Sequence, residues 1–164
     1  MIQAITATNL TTYLQTEDNR IDTAVATTQI RHLIKFTNDM KGGSDLGTQY
    51  AYGATENIYN RYTRFHFNYN ATPNIYSGKI NFLPSGYWKY EVYEVSWVGD
   101  VVVGDGTAPS SETDVLTPPS NLKGIVQGLV TKGKMYVSDQ SGTEQVQYTQ
   151  REEPAANNYI YYGQ

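Results

Sequence analysis

Residues 87–98 read YWKYEVYEVSWV, and this stretch decides the fold class. Aromatic and β-branched residues dominate it, which is typical of a β-strand. Successive side chains of a strand point to opposite faces, so Tyr93 and Trp97 share one face and Trp88 and Val92 share the other. Because both faces are largely apolar, the pattern predicts a central strand that is covered on two sides, by a core and by a neighbour.

The same period of two occurs upstream of this strand. In residues 30–38, Ile30 and Phe36 belong to an alternating apolar set, which predicts a half-buried strand. Residues 58–69 alternate in the same way and predict a second strand. Glycine, proline, asparagine and aspartate follow these two strands, and such residues favour turns.

A long loop and a hairpin are predicted after the central strand. Residues 99–121 are rich in Gly, Pro, Ser and Asp, and loops of this length are usually functional or become ordered against a partner. Residues 125–130 and 134–137 flank Thr-Lys-Gly, which predicts a β-hairpin with a tight turn. A last strand is predicted around Val146 and Tyr148.

The fold class follows from the short strands and their regular turn signals. Residues 4–26 fit a strand, a short helix or both, and no helical period is seen elsewhere. We therefore expect a single-domain, all-β, antiparallel β-sandwich, immunoglobulin-like or jelly-roll-like, with long loops. The sandwich is assigned to residues 1–150 and an extended, tyrosine-rich C-terminal arm to residues 151–164.

The composition indicates a folded chain with a polar, weakly charged surface. The mean hydropathy is −0.52, but 13% of the 164 residues are aromatic and 15 are tyrosine, whereas disordered chains are poor in aromatics. Only 17% are charged, against about 25% in an average soluble domain. A net charge of −4 argues against direct nucleic-acid binding. Abundant tyrosine with little lysine favours a surface covered by protein neighbours.

Several classes of site and location are disfavoured by what the sequence lacks. With no cysteine, disulfides, thiolate metal sites and cysteine nucleophiles are excluded. The first residues lack the pattern of a signal peptide, and no apolar run reaches the ~18 residues of a membrane span. We therefore expect a product that stays soluble where it is made or leaves the cell by lysis.

One sequence motif comes close to a phosphate-binding loop. Residues 128–134, GLVTKGK, fit the G-x-x-x-x-G-K core, but Met135 stands where Ser or Thr should bind magnesium. Such a loop should also open a helix, and the residues that follow predict a strand. A hairpin turn is the preferred interpretation.

Residues that could bind a metal or transfer protons do not form a recognisable pattern. His32 and His66 have no partners at ligand spacing and are predicted to be structural. Calcium binding to the long loop is conceivable, but its acids do not match the EF-hand pattern and solvation is the preferred explanation. Neither a cofactor nor a metal ion is predicted. The acids of this loop are Asp100, Asp105, Glu112 and Asp114.

The aromatic side chains are the candidates for binding a partner. Those of the central strand fit a core or a subunit interface, or a platform on which sugars stack. Exposed aromatics at the end of the arm would form an apolar patch, so they are predicted to dock on a neighbouring strand or subunit. The predicted contact residues are Trp88, Tyr93, Trp97, Tyr159, Tyr161 and Tyr162.

Two segments carry a resemblance to a known group of proteins. Residues 82–94, FLPSGYWKYEVYE, followed by residues 128–137, GLVTKGKMYV, are similar to small virion structural proteins of marine and gut tailed bacteriophages. Those proteins have a strand of the form G-Y-Y-x-Y-x-I/V-Y-E and a later V-E-x-G-x-x-x-V hairpin. Residues 34–39 and 60–65 resemble the same group, so the resemblance covers residues 30–140.

The resemblance implies a non-enzymatic subunit of a symmetric neck or connector, tail or capsid-decoration assembly. Its partners would be copies of itself and other virion proteins, such as the portal, tail or major capsid protein, in a virion assembled in the host cytoplasm. Direct contact with nucleic acid or membrane is not expected. The alternatives are a carbohydrate-binding or receptor-binding β-sandwich, and a small glycan hydrolase with two convergent carboxylates.

Overall fold

The central strand lies in the middle of a five-stranded sheet. The computed structural model describes residues 1–40 and 47–139. The strand runs from Gly86 to Ser96, and its two neighbours pair with it along its length in antiparallel register. Among the described residues, the strand of this sheet that comes first in the sequence pairs in parallel with the strand that comes last in the sequence. The sheet is therefore mixed rather than purely antiparallel. In spatial order the strands are β1 (Ile2–Ile5), β9 (Ile125–Ser138), β8 (Gly86–Ser96), β3 (Ile30–Asn38) and β4 (Thr48–Tyr52).

The second sheet is smaller and packs on one face of the first. Its path is β2 (Leu10–Leu14), β6 (Thr63–Tyr69) and β5 (Thr55–Ile58), and the short strand β7 (Lys79–Ile80) pairs with β6 in parallel. Two 3₁₀ turns, Glu17–Asn19 and Thr27–Gln29, are the helical elements of the described residues. Residues 4–26 thus contain strand and 3₁₀ turn but no α-helix.

The main core lies between the two sheets, which confirms the all-β sandwich. Buried side chains alternate along β2 and β6, as burial of one face of the small sheet requires. Phe36 of the large sheet meets Phe67 of the small one edge to face, with ring centroids 5.8 Å apart. Phe82 packs against Phe36 and Trp88 at 4.9 and 5.3 Å, closing one end of the core.

A second core lies on the outer face of the large sheet. Residues 97–124 contain no strand in the structure, which confirms the predicted long loop, and they fold back over that face. We call residues 97–124 the covering loop. Val95 and Leu33 of the sheet are fully buried beneath it, with Ala108 of the loop among the buried members of the same cluster. Both faces of the C-terminal part of β8, from Val92 to Ser96, are therefore covered by this chain itself.

Two strand predictions are wrong. The predicted strand at residues 58–69 is wrong in its first part: β6 covers residues 63–69, and residues 59–62 form the turn that joins it to β5, closed by the backbone N–H of Tyr59 donating to the carbonyl of Tyr62. The predicted hairpin at residues 125–137 is the single strand β9, which pairs with β8 throughout through two register shifts.

Gly133 explains the second error. The sequence shows it as a turn glycine, but it lies inside β9 opposite Tyr90. A Cβ atom built on Gly133 would lie only 2.5 Å from the hydroxyl oxygen of Tyr90, so this glycine provides room for the ring. The strand predicted around Val146 and the arm at residues 151–164 lie outside the described residues.

Candidate functional site

The two tryptophans predicted to contact a partner are inside the chain. Trp88 and Trp97 both have 0% of their surface exposed. Trp88 is in the main core, where its indole N–H donates to the carbonyl of Pro84 at 3.1 Å. Trp97 is in the second core, against Gly124 of the covering loop. The partner-contact prediction is therefore wrong for these two residues, because elements of the same chain cover them.

Tyr93 is half-buried on the outer face and borders the second core. Its hydroxyl donates to Glu91 Oε2 at 3.4 Å. Burial, together with the nearby carboxylates of Glu91 and Glu112, raises the pKa of Tyr93 to about 12. A sugar platform formed by Tyr93 with the two tryptophans does not exist at the surface. The other predicted contact residues, Tyr159, Tyr161 and Tyr162, lie outside the described residues.

An ion pair ties the covering loop to the sheet. Lys35 Nζ lies 2.5 Å from Glu112 Oε1, and the Tyr50 hydroxyl donates to Glu112 Oε2 at 2.5 Å. The hydrogen bond to Glu112 raises the pKa of Lys35 well above its ordinary value. Burial alone would raise the pKa of Glu112, but the hydrogen bonds from Lys35 and Tyr50 outweigh it and lower that pKa. The three groups therefore stay in their bonded forms at neutral pH.

Glu94 has a structural function on the inner face of β8. Its carboxylate is buried and accepts the backbone N–H groups of Ile21 and Asp22 at 3.0 and 2.7 Å. Both oxygens are thus occupied by the segment that crosses from β2 to β3. Glu91 points outward, so the two carboxylates do not converge, as predicted from their spacing.

The histidines also have structural partners. His32 Nδ1 lies 2.8 Å from Glu56 Oε1, and their side chains are only 1% and 2% exposed, so this pair joins β3 of the large sheet to β5 of the small one. His66 Nδ1 lies 2.8 Å from the Thr11 hydroxyl, across the pair of β2 and β6. The two rings lie on different sheets and share none of these partners.

The acids of the covering loop are separated in the same way. Glu112 binds Lys35, whereas Asp114 accepts the backbone N–H and hydroxyl of Ser110, both at 2.8 Å. Within residues 1–40 and 47–139, His, Asp and Glu side chains form no group of three that could hold a metal ion. The near-match to a phosphate-binding loop lies inside β9 and opens no helix.

The part of the outer face beyond the covering loop carries a cluster of lysines and tyrosines. Cross-strand pairs of β8 and β9 place Lys89 opposite Lys134 and Tyr87 opposite Tyr136. Lys132 lies two residues from Lys134, on the same face of the strand. We call Tyr87, Lys89, Lys132, Lys134 and Tyr136 the lysine face.

The lysine face borders an open depression of about 740 Å³. Successive rows of the sheet form its floor: Lys134, Lys89, Thr37 and Thr48 are cross-strand neighbours in one row. The next row contains Lys132, Glu91, Lys35 and Tyr50. This volume lies within the range of small-molecule pockets, about 300–1,000 Å³.

Sequence reasoning missed the lysine face for a specific reason. The predicted hairpin places Lys132 inside its turn and Lys134 at the start of its second strand, so the two lysines share no face of one strand with each other or with Lys89. Their alternate spacing was a visible signal, but only the pairing of β9 with β8 brings the three lysines together.

Comparisons with known proteins give this chain no family. No protein-family model matches the sequence, and no curated protein or solved structure matches it significantly. In the described residues, no helix is both long enough and apolar enough to cross a membrane.

Proposed function

We propose that this chain is a non-enzymatic structural subunit of a tailed-phage virion, in a symmetric neck or connector, tail or capsid-decoration assembly. The resemblance of residues 82–94 and 128–137 to small virion proteins supports the proposal. The structural observation that carries it is the placement of exposed apolar side chains in two patches, one on each outer side of the sandwich.

The first patch is an aromatic triad on the small sheet. Tyr13, Tyr59 and Tyr62 are 60%, 46% and 41% exposed. The ring of Tyr62 lies 5.6 Å from that of Tyr13 and 5.0 Å from that of Tyr59, centroid to centroid. Tyr13 alternates with buried residues of β2, so it faces away from the main core. Clustered exposed tyrosines are typical of protein interfaces.

The second patch is an apolar groove of about 310 Å³ at the base of the covering loop. Val115 and Ile125 on its wall are 79% and 55% exposed. Leu116 and Pro119 also line it. The loop lies on the outer face of the large sheet, so this groove and the aromatic triad are on opposite sides of the sandwich.

Two different patches on opposite sides fit head-to-tail association. When the triad of one copy contacts the groove of the next, the same contact repeats and builds a ring or a tube. The portal, tail or major capsid protein would bind the surfaces left exposed at the ends of that ring or tube. Weak contacts of this kind become stable when symmetry multiplies them.

The first experiment measures copy number in virus particles purified from the source of this sequence. Quantitative mass spectrometry counts this chain against the major capsid protein and the portal protein. A count near the capsid protein's supports a decoration subunit, and one near the portal's supports a neck or tail subunit. Absence from washed particles, with abundance in the lysate, contradicts the virion assignment.

The second experiment tests the two patches on the purified chain by sedimentation velocity at rising concentration. Tyr62→Ala and Val115→Asp should each reduce self-association by about tenfold or more, because interface tyrosines and desolvated apolar contacts contribute about 1–2 kcal/mol each. The matched controls are Tyr69→Ala and Val102→Asp, at exposed positions outside both patches. Equal losses in test and control variants would contradict the assignment of the patches.

A further inference from the structure

The lysine face holds three lysines, and of these only Lys89 forms an ion pair within residues 1–40 and 47–139. Lys89 and Lys134 are direct cross-strand partners, and like charges in that arrangement destabilise a sheet. Lys89 Nζ lies 3.1 Å from Asp39 Oδ1, but its side chain is 61% exposed. Among the described residues, neither Lys132 nor Lys134 forms an ion pair.

This arrangement is not a consequence of composition. The chain has 12 basic and 16 acidic residues, so acids were available to pair with these lysines. A destabilising pair of like charges at the surface is the expected mark of a site selected for binding rather than for stability. A bound anion would offset this repulsion between the two lysines.

A flat apolar surface adjoins the charge. Tyr87 is 56% exposed, and its ring lies 5.0 Å from that of Tyr136, its direct cross-strand partner. In the same row as Lys89, on β3 and β4, Thr37 and Thr48 line the depression. A ligand here meets aromatic rings and ammonium groups in successive rows along β8 and β9, and hydroxyls on the adjacent strands β3 and β4.

We propose that the lysine face binds an acidic oligosaccharide, one whose sugars carry carboxylate or sulfate groups. The anions would bind Lys89, Lys132 and Lys134, and the C–H face of a neighbouring sugar would pack on Tyr87. Sugar hydroxyls would bond to the threonine hydroxyls in the depression.

The surrounding charges favour this ligand over a nucleic acid. Glu91 lies in the depression among the lysines, and the chain as a whole carries a net charge of −4. A nucleic acid brings a continuous row of phosphates and needs an extended basic surface. An acidic oligosaccharide carries fewer charges, which are spaced apart. The sugar hydroxyls between those charges can donate hydrogen bonds to the Glu91 carboxylate.

The site is separate from the two patches of the proposed function. None of the triad or groove residues lines the lysine face. Failure of glycan binding therefore leaves the assembly proposal intact, and failure of assembly leaves the glycan site intact.

The experiment is calorimetric titration of the full chain with a defined oligogalacturonate at low salt. We expect binding that weakens as salt is raised, and no binding of an uncharged maltooligosaccharide of equal length. Lys89→Ala and Lys134→Ala should each weaken binding about tenfold, as for loss of a bond to a charged group. Lys79→Ala, an exposed lysine of β7, is the matched control and should bind as the parent does.

Folding is monitored separately through Lys134→Glu. This change replaces a pair of like charges by opposite charges, so it should raise the melting temperature while abolishing binding. Loss of binding in a stabilised variant is not a folding defect. Tyr87→Phe should keep the affinity, and Tyr87→Ala should reduce it.

Three outcomes would overturn the proposal. One is the absence of binding of both oligogalacturonate and a sulfated oligosaccharide at millimolar concentration. Another is equal binding of oligothymidylate or polyglutamate, which would show a general anion surface. The third is an equal loss of affinity in Lys79→Ala and Lys134→Ala.

Discussion

Two valines on β8 test whether the covering loop forms a true second core. Val92 faces the main core and Val95 faces the loop, and each has 0% of its surface exposed. Val→Ala removes two carbon atoms, which corresponds to about 1.6 kcal/mol of transfer free energy at 0.8 kcal/mol per buried carbon. The cavity left behind adds to this, so each variant should lose about 2–3 kcal/mol of unfolding free energy.

The assay is urea unfolding of the parent chain, Val92→Ala and Val95→Ala, followed by tryptophan fluorescence and circular dichroism. Equal slopes with denaturant are needed for the midpoints to report stability. In a chain of this size a loss of 2–3 kcal/mol lowers the melting temperature by roughly 4–12 °C. Because the two sites share a strand, a residue type and full burial, they are matched controls for each other.

A loss below about 0.5 kcal/mol in Val95→Ala, beside about 2 kcal/mol or more in Val92→Ala, would refute the reasoning. Surface substitutions usually fall within ±0.5 kcal/mol. Such a result would mean that Val95 is in contact with solvent and that the loop does not stay on the sheet. The outer face of the large sheet would then be open to a partner along its whole length.

Three further predictions concern polar contacts of the same elements. Tyr52→Phe removes the buried bond from the hydroxyl to the carbonyl of Pro109, 2.8 Å long, and should cost about 1 kcal/mol with faster amide exchange in the covering loop. Glu94→Gln keeps the shape but turns an N–H₂ group toward one of two backbone N–H donors, so chemical denaturation should show a loss of about 2 kcal/mol or more. The pKa of Glu112 is lowered in the folded chain, so its contribution to stability is present above its unfolded pKa of 4.5 and is lost as pH falls through the lower folded value. Stability should therefore decline below about pH 4.5. Glu112→Gln should be less stable than the parent at neutral pH and should show a smaller decline, and an unchanged pH profile in this variant would contradict the role of Glu112.

Strand existence was predictable where the period of two was uninterrupted. The prediction at residues 30–38 matches β3, and the central strand is β8 with its last two predicted residues in the loop. Turns were less predictable, because the same residue types have other functions. Thr-Lys-Gly fits a hairpin turn, yet Gly133 lies in mid-strand to make room for Tyr90.

The candidate site was the least predictable part. When both faces of a strand are apolar, its aromatic residues can contact either a partner or the chain's own core. The alternation of side chains along the strand does not distinguish these cases. The burial of Trp97 was not predictable because Gly124, which packs against it, lies at the far end of a loop that has no periodic pattern. The lysine face was missed because its members come from two strands that the sequence places far apart.

The sequence by itself determined that this chain is an all-β protein with a two-faced central strand, since alternation and β-branched content are local properties of a pleated chain. It also determined the low charge and the absence of cysteine chemistry. Only the tertiary structure decided what covers each face of that strand, which lysines meet and which carboxylates are occupied. Those facts depend on strand order, register and loop path, which are set by contacts between residues far apart in the chain.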